Sequence, residues 1–207
     1  MIIAVDGPTA SGKGTIARAL AAHYGLPHLD TGLLYRAVGR QCQLDHGNPD
    51  DPAEALASAN FPDSLLADPI LRTEESGGLA SRVSVHPGVR QALYDRQRLF
   101  ATRPGGAVLD GRDIGTVIAP EAAAKLFVTA SVKARAARRF LEMQGRGLPV
   151  TLDEIEADLA ARDLRDRTRT EAPLVPAADA LLLDNSDLSA EASIAAAIRL
   201  VESRLTR

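Results

Sequence analysis

Five short apolar runs recur along this chain, separated by longer stretches in which apolar positions repeat at helical intervals. The runs are Ile2–Val5, Pro27–Leu29, Ala107–Leu109, Leu126–Thr129 and Ala180–Leu183. They lack the polar alternation of a half-exposed strand and read as strands buried on both faces. Helices are expected over Thr15–Tyr24, Leu33–Gln43, Pro87–Ala101, Val132–Gln144, Leu152–Arg167 and Ala190–Leu205. In the third of these, Val89, Leu93 and Phe100 show the spacing of one buried face. Alternating strands and helices predict an α/β fold, a three-layer sandwich with a five-stranded parallel sheet. Ligands of such sheets gather beyond the carboxyl ends of the strands.

Two stretches break the rhythm. Residues 45–84 are rich in Asp, Pro, Ser and Gly, carry no long periodic segment, and read as a small inserted lobe of short elements. Gly145-Arg146-Gly147-Leu148-Pro149 separates two helical patterns, either as the hinge of a lid or as a plain corner between helices. The expected layout is a core of 1–44, 85–142 and 165–207, with the lobe at 45–84 and a short lid at 143–164.

The junction after the first strand carries the clearest chemistry. Gly7-Pro8-Thr9-Ala10-Ser11-Gly12-Lys13-Gly14-Thr15 lies between a strand and a helix, the context of a phosphate-binding loop. Small residues let successive N–H groups turn around an anion, the helix adds its positive end, and Lys13 adds a point charge. The Ser or Thr that usually follows the lysine is replaced by Gly14, with the hydroxyl one place later at Thr15, so the loop itself supplies no assigned magnesium ligand.

Four further clusters follow. After the second strand comes Asp30-Thr31-Gly32-Leu33-Leu34-Tyr35-Arg36, where Asp30 or Thr31 can cap the next helix. The third strand ends in Asp110-Gly111-Arg112-Asp113; Asp110 occupies the place from which a P-loop enzyme orients magnesium, although whether Asp110 or Asp113 lies nearer the metal stays open. Arg135, Arg138 and Arg139 share a helix face, as do Arg162, Asp166 and Arg169 further on. Helical ion pairs in solvent give similar patterns. Phosphoryl transfer between two nucleotides, however, gathers several negative charges in one cleft and needs cations beyond one lysine and magnesium.

Composition narrows the class. The 207 residues suit one domain with insertions, and 45% hydrophobic content supports a core that is aliphatic, since aromatics make up only 3%. A net charge of -3 argues against a nucleic-acid or anionic-membrane binder, and no apolar run reaches transmembrane length. Cys42 is alone, which excludes an internal disulfide and fits a cytoplasmic location. The strand that begins within two residues of Met1 leaves no room for a signal segment. His23, His28, His46 and His86 form no ligand spacing and are expected to be structural or on the surface.

Taken together, these residues resemble bacterial cytidylate kinases, a family of P-loop nucleoside monophosphate kinases. The resemblance runs over nearly the whole chain: D-G-P-x-A-S-G-K-G-T at 6–15, D-T-G-x-x-Y-R at 30–36, A-S-x-V before V-R-x-A-L-x-x-R-Q-R at 80–98, D-G-R-D-I-G-T at 110–116, R-D-x-R-D-x-x-R at 162–169, and A-P-L-V-P-A-A-D-A at 172–180. It implies that Thr31, Arg36, Ser81, Arg90, Arg112, Asp113, Arg162, Asp166 and Arg169 line the monophosphate site. Arg36, Arg112 and Arg162 would hold the acceptor phosphate. Ser81, Arg90 and Asp113 would read the cytosine edge, and Asp166 and Arg169 would face the sugar hydroxyls. Arg135 and Arg139 resemble lid arginines that cover the ATP phosphates. The inserted lobe departs from the family: it is shortened before Leu71-Arg72-Thr73-Glu74-Glu75, where relatives often carry a small antiparallel sheet.

The resemblance implies transfer of the γ-phosphoryl group from ATP, with Mg²⁺, to CMP or dCMP, with Lys13, Arg112, Arg135, Arg139 and Asp110 serving catalysis. No nucleic-acid or membrane partner is expected, and the default oligomeric state is a monomer. Rival readings are another P-loop metabolite kinase, for which the acceptor is decisive, and a GTP-binding switch, which the absence of an N-K-x-D tetrad opposes.

Overall fold

The computed structural model describes residues 1–206. Five parallel strands, β1 (Ile2–Asp6), β2 (His28–Asp30), β3 (Ala107–Gly111), β4 (Ala124–Thr129) and β5 (Leu181–Asp184), form one sheet in the order β2-β3-β1-β4-β5. The expected α/β sandwich with a five-stranded parallel sheet is therefore observed. β1 lies between β3 and β4, with Ala4 opposite Leu109 and Val5 opposite Leu126, so the loop after β1 emerges from the middle of the sheet.

Helices cover both faces. α1 (Lys13–Tyr24) and α8 (Ala190–Leu205) pack Ile16, Leu20, Ala197 and Val201 onto Ile3, Val5 and Leu126 of one face. On the other, α5 (Pro87–Ala101), with Pro87 at its first turn, brings Ala101 against Ala4 and Leu109. α6 (Val132–Gly145) and α7 (Leu152–Thr168) make a helical hairpin around Ala136, Met143, Ile155 and Leu159. A capping box, Thr151 with Glu154, starts α7.

The stretch at 45–84 is helical. α2 (Thr31–Leu44) leads to α3 (Pro52–Ala57), two short 3₁₀ turns at Asp63–Ala67 and Pro69–Arg72, and α4 (Glu74–Val83). Thr73 caps α4 by accepting from the Ser76 amide, and Glu74 and Glu75 sit favourably in its first turn. Leu34 and Val38 of α2, Ala55, Phe61, Leu65, Leu71, Val83 and Leu93 share one apolar cluster. The family's small antiparallel sheet thus has no counterpart among the described residues, and α2 and α5 supply the apolar surface on which the shortened segment packs.

Candidate active site

An open cavity of about 220 Å³ lies beyond the carboxyl ends of β1, β2 and β3, walled by α2, α4 and α7. The loop Gly7–Gly12 forms its floor. A Cβ at Gly7 would stand 2.0 Å from the Val128 carbonyl oxygen, so only glycine lets the loop leave β1 this close to β4. Gly12 takes the left-handed conformation, φ 84°, at the entry of α1. The loop is braced from behind: Arg135 Nη1 donates to the Thr9 carbonyl at 3.0 Å and Asn185 Nδ2 to the Ser11 carbonyl at 2.9 Å. Among the described residues the amides of Lys13 and Gly14, at the first turn of α1, have no backbone partner, the arrangement of a helix N-terminus open to an anion. Lys13 is half-buried; burial, and then the neighbouring Arg112, bring its ammonium pKa down to about 8. Of the loop residues expected at the phosphates, Thr9, Ala10, Lys13 and Gly14 line the cavity. Thr15 is exposed, its hydroxyl accepting from Arg18 at 3.2 Å.

The tip of β3 supplies the opposite wall. Asp110 is buried; its Oδ1 lies 2.7 Å from His28 Nε2, and its carbonyl accepts from the Thr31 hydroxyl at 2.8 Å. Thr31 is therefore spent on β3 and does not cap α2, and Asp30 makes no side-chain cap either, contrary to the sequence expectation. Arg112 crosses the cavity, donating through Nε to Asp166 Oδ2 at 2.7 Å and through Nη2 to the Thr9 hydroxyl at 2.6 Å. Burial pushes the Asp166 carboxyl up, but Arg112 and then Arg169 outweigh it and hold the group below the usual carboxylate range. Asp113 pairs with Arg90, and Arg169 Nη2 stands 3.7 Å from its other oxygen. That buried Arg169 nitrogen has no hydrogen-bond partner among the described residues.

Behind this wall Asp6, the last residue of β1, accepts the Ile114 and Gly115 amides at 2.8 Å each and so fixes the wide turn Ile114–Ile118 that follows Asp113. Burial brings its carboxyl up to about 7 against the opposing pull of those amides.

The remaining cations come from α2 and α7. Arg36 Nη1 donates to the Leu71 and Thr73 carbonyls at 2.8 and 2.9 Å, which ties α2 to the turn before α4. A Cβ at Gly77 of α4 would lie 3.0 Å from Arg162 Nη1 and 3.2 Å from Arg36 Nη2, so the bare helix surface lets two guanidinium groups converge. Carboxylates stand against one of the two, Arg162: Asp158 Oδ2 lies 2.9 Å from its Nε, and Glu74 Oε2 3.6 Å from its Nη2. Ser81 of α4 reaches the cavity wall, its oxygen 2.5 Å from Arg165 Nη1.

The structure thus brings Thr31, Arg36, Ser81, Arg90, Arg112, Asp113, Arg162, Asp166, Arg169, Lys13 and Asp110 to one cavity, and leaves Arg135 and Arg139 outside it. Arg135 is 1% exposed and satisfied by Asp163 of α7 at 2.5 and 3.0 Å, the Ala130 carbonyl at 2.9 Å and the Thr9 carbonyl. Arg138 turns to Asn185 Oδ1 at 3.1 Å, while Arg139 pairs with Glu74 and Glu142. Three arginines that share a helix face in the sequence each serve a different neighbour, because long side chains leaving one face still diverge to whichever carboxylate or carbonyl lies nearest.

Four residues beside the cavity went unremarked as partners in the sequence: Asp6, His28, Asp163 and Arg165. Asp6 had a signal, an acid ending a buried strand directly before a glycine loop. Asp163 and Arg165 lie within the R-D-x-R-D run. His28 had none, because its partner is 82 positions away.

A sequence profile described as cytidylate kinase matches residues 3–203. The chain belongs to the cytidylate kinase family. It is 56% identical over 207 residues to a protein named cytidylate kinase from a Caulobacter species, covering 100% of this chain and 96% of the relative. It is 57% identical over 205 residues to the protein of the same name from Xanthobacter autotrophicus, covering 99% and 98%. Among solved structures, an uncharacterized protein from Eubacterium ventriosum aligns with a TM-score of 0.56 at 15% identity, covering 98% of each chain, a likeness of fold alone.

Proposed function

We propose that this cavity is where the chain transfers the γ-phosphoryl group of ATP to the 5′-phosphate of CMP or dCMP. Membership of the cytidylate kinase family makes the chain an ATP-dependent phosphotransferase acting on that acceptor. The observation that carries the residue assignment is the convergence of Lys13, Arg36, Arg112 and Arg162 with an Asp113–Arg90–Ser81 set in one cavity.

In this reading the loop amides and Lys13 hold the donor's phosphates, while Arg36, Arg112 and Arg162 hold the acceptor's. The acceptor oxygen is already anionic and needs no strong base. Rate enhancement comes from alignment and from donors placed where charge spreads over the transferred group. Arg112 touches both the Thr9 hydroxyl of the donor loop and Asp166, which supports a place for it between the two phosphates. Asp166 and Arg169 face the sugar. Asp113 accepts from the cytosine amine, an acceptor role that the flanking Arg90 and Arg169 favour.

Mg²⁺ fits the donor set. Among the described residues no three His, Cys, Asp or Glu side chains group to chelate a metal, as suits a cation held by one carboxylate, water and substrate phosphates. Asp110 is the candidate: His28 holds one of its oxygens, and the other faces Gly14, 3.6 Å from where a Cβ there would stand. When bound, magnesium supplies positive charge to the β- and γ-phosphates. Arg135 is assigned a bracing role through the Thr9 carbonyl, and Arg139, which pairs with Glu74, a place where α6 meets the inserted lobe. Residues 45–84 and 143–164 act as lobe and lid that exclude water. No described helix is long and apolar enough to cross a membrane. The reading takes the chain to act in the cytoplasm as a monomer.

ADP release from ATP with and without CMP tests the reading. Release is expected to depend on CMP; equal release in its absence contradicts transfer to the nucleotide.

A further inference from the structure

We propose that Arg165, which the substrate cavity does not include, sets the preference for cytosine over uracil by fixing the hydrogen-bond polarity of Ser81. The inference rests on the reading of Ser81 and Asp113 as base-edge residues.

Ser81 on α4 lines the substrate cavity, whereas Arg165 on α7 lines a neighbouring groove with Glu75, Leu79 and Asp158, and Arg162 borders both. The two meet between α4 and α7, Arg165 Nη1 donating to Ser81 Oγ at 2.5 Å. A guanidinium carries donors only and stays charged, so the serine oxygen must accept in this bond. The hydroxyl has one hydrogen, and among the described residues no acceptor is bonded to it. That hydrogen is left to point at the cavity. A serine free to rotate would serve as donor or acceptor with equal ease; one held by Arg165 is biased to donate, and the cation polarises it further.

The opposite polarity stands at Asp113. Arg90 bonds one of its oxygens and Arg169 stands 3.7 Å from the other, so the carboxylate acts as an acceptor toward both cations and presents an acceptor to the cavity. The base edge thus meets an acceptor at Asp113 and a donor at Ser81. Cytosine presents an amine donor beside ring acceptors, which matches both. Uracil presents a carbonyl in place of the amine and an N–H in place of the ring acceptor, which opposes both. A site built to bond one pattern rejects the other because its own buried groups are left unpaired. Arg165 is therefore a positioning residue: it acts through Ser81 and does not touch the substrate.

Steady-state kinetics with CMP and UMP on Arg165→Met, Ser81→Ala and the double variant test this. R165M is expected to raise KM for CMP and to lower the CMP-to-UMP ratio of kcat/KM by about tenfold, the scale of one charge-assisted hydrogen bond, with KM for ATP unchanged. S81A should lower the ratio similarly, and adding R165M to S81A should lower it no further. Arg165→Lys, which keeps a donor-only cation, should retain most of the ratio. An unchanged ratio in R165M, or an equal drop in the S81A background, overturns the proposal. If R165M does not fold, Arg165→Gln takes its place under the same criteria. A wild-type chain inactive with CMP would instead overturn the underlying reading, so the two failures are distinguishable.

Discussion

Arg112 and Asp166 meet across the cavity at 2.7 Å, one from the tip of β3 and the other from the fourth turn of α7. The pair joins the sheet to the helical hairpin at the point where donor and acceptor phosphates must converge. Because Arg112 also bonds Thr9, its guanidinium is already oriented before substrate arrives. Orientation of this kind removes part of the ordering cost from the chemical step.

Arg112→Ala should lower kcat by roughly 10³-fold or more, the scale on which arginine donors to a transferring phosphoryl group act. Near-normal turnover would remove Arg112 from the site.

Lys13 gives a pH dependence whose sign is fixed by its depressed pKa. In the free enzyme the ammonium loses its proton as pH rises through about 8. ATP phosphates favour the charged form, so ATP binding should take up protons near pH 8, and KM for ATP should rise above that pH while kcat changes less. Calorimetric titrations with ATP in buffers of different ionisation enthalpy check this; buffer-independent heats at pH 8 would contradict it.

Much of this architecture was legible in the sequence. Buried parallel strands need unbroken apolar runs and end where glycine and aspartate begin, so Ile2–Asp6 and Ala107–Gly111 stood out together with the loops they launch. α4 was hidden because Gly77-Gly78 reads as a break, whereas the helix keeps those glycines where Arg36 and Arg162 crowd it. The destination of Arg135 was hidden for another reason. Helical spacing states which face a side chain leaves, while its partner Asp163 depends on how α6 and α7 pack.

The Arg135–Asp163 pair predicts a stability effect separable from chemistry. Asp163→Ala leaves a buried guanidinium unpaired, which costs about 3–5 kcal/mol and lowers Tm by roughly 6–20 °C in a domain of this size. Thermal unfolding followed by circular dichroism reads this directly; a Tm within a degree of wild type would show the pair to be idle.

His28→Ala should weaken the hold on Asp110 without unfolding the sheet. The expected outcome is a several-fold higher Mg²⁺ requirement, together with weaker binding of Mn²⁺·ATP measured by the paramagnetic signal of the ion, and little change in KM for CMP. Unaltered metal dependence would detach His28 from the site.

The measurement that bears most directly on the whole account is ADP release from ATP·Mg²⁺ with CMP, dCMP, UMP, AMP, GMP and shikimate offered one at a time. A strong response confined to CMP and dCMP is the predicted result. A flat response across the nucleotides, or a stronger one to another acceptor, would leave the phosphate-binding loop standing and contradict the assignment of Asp113, Arg90 and Ser81 to cytosine.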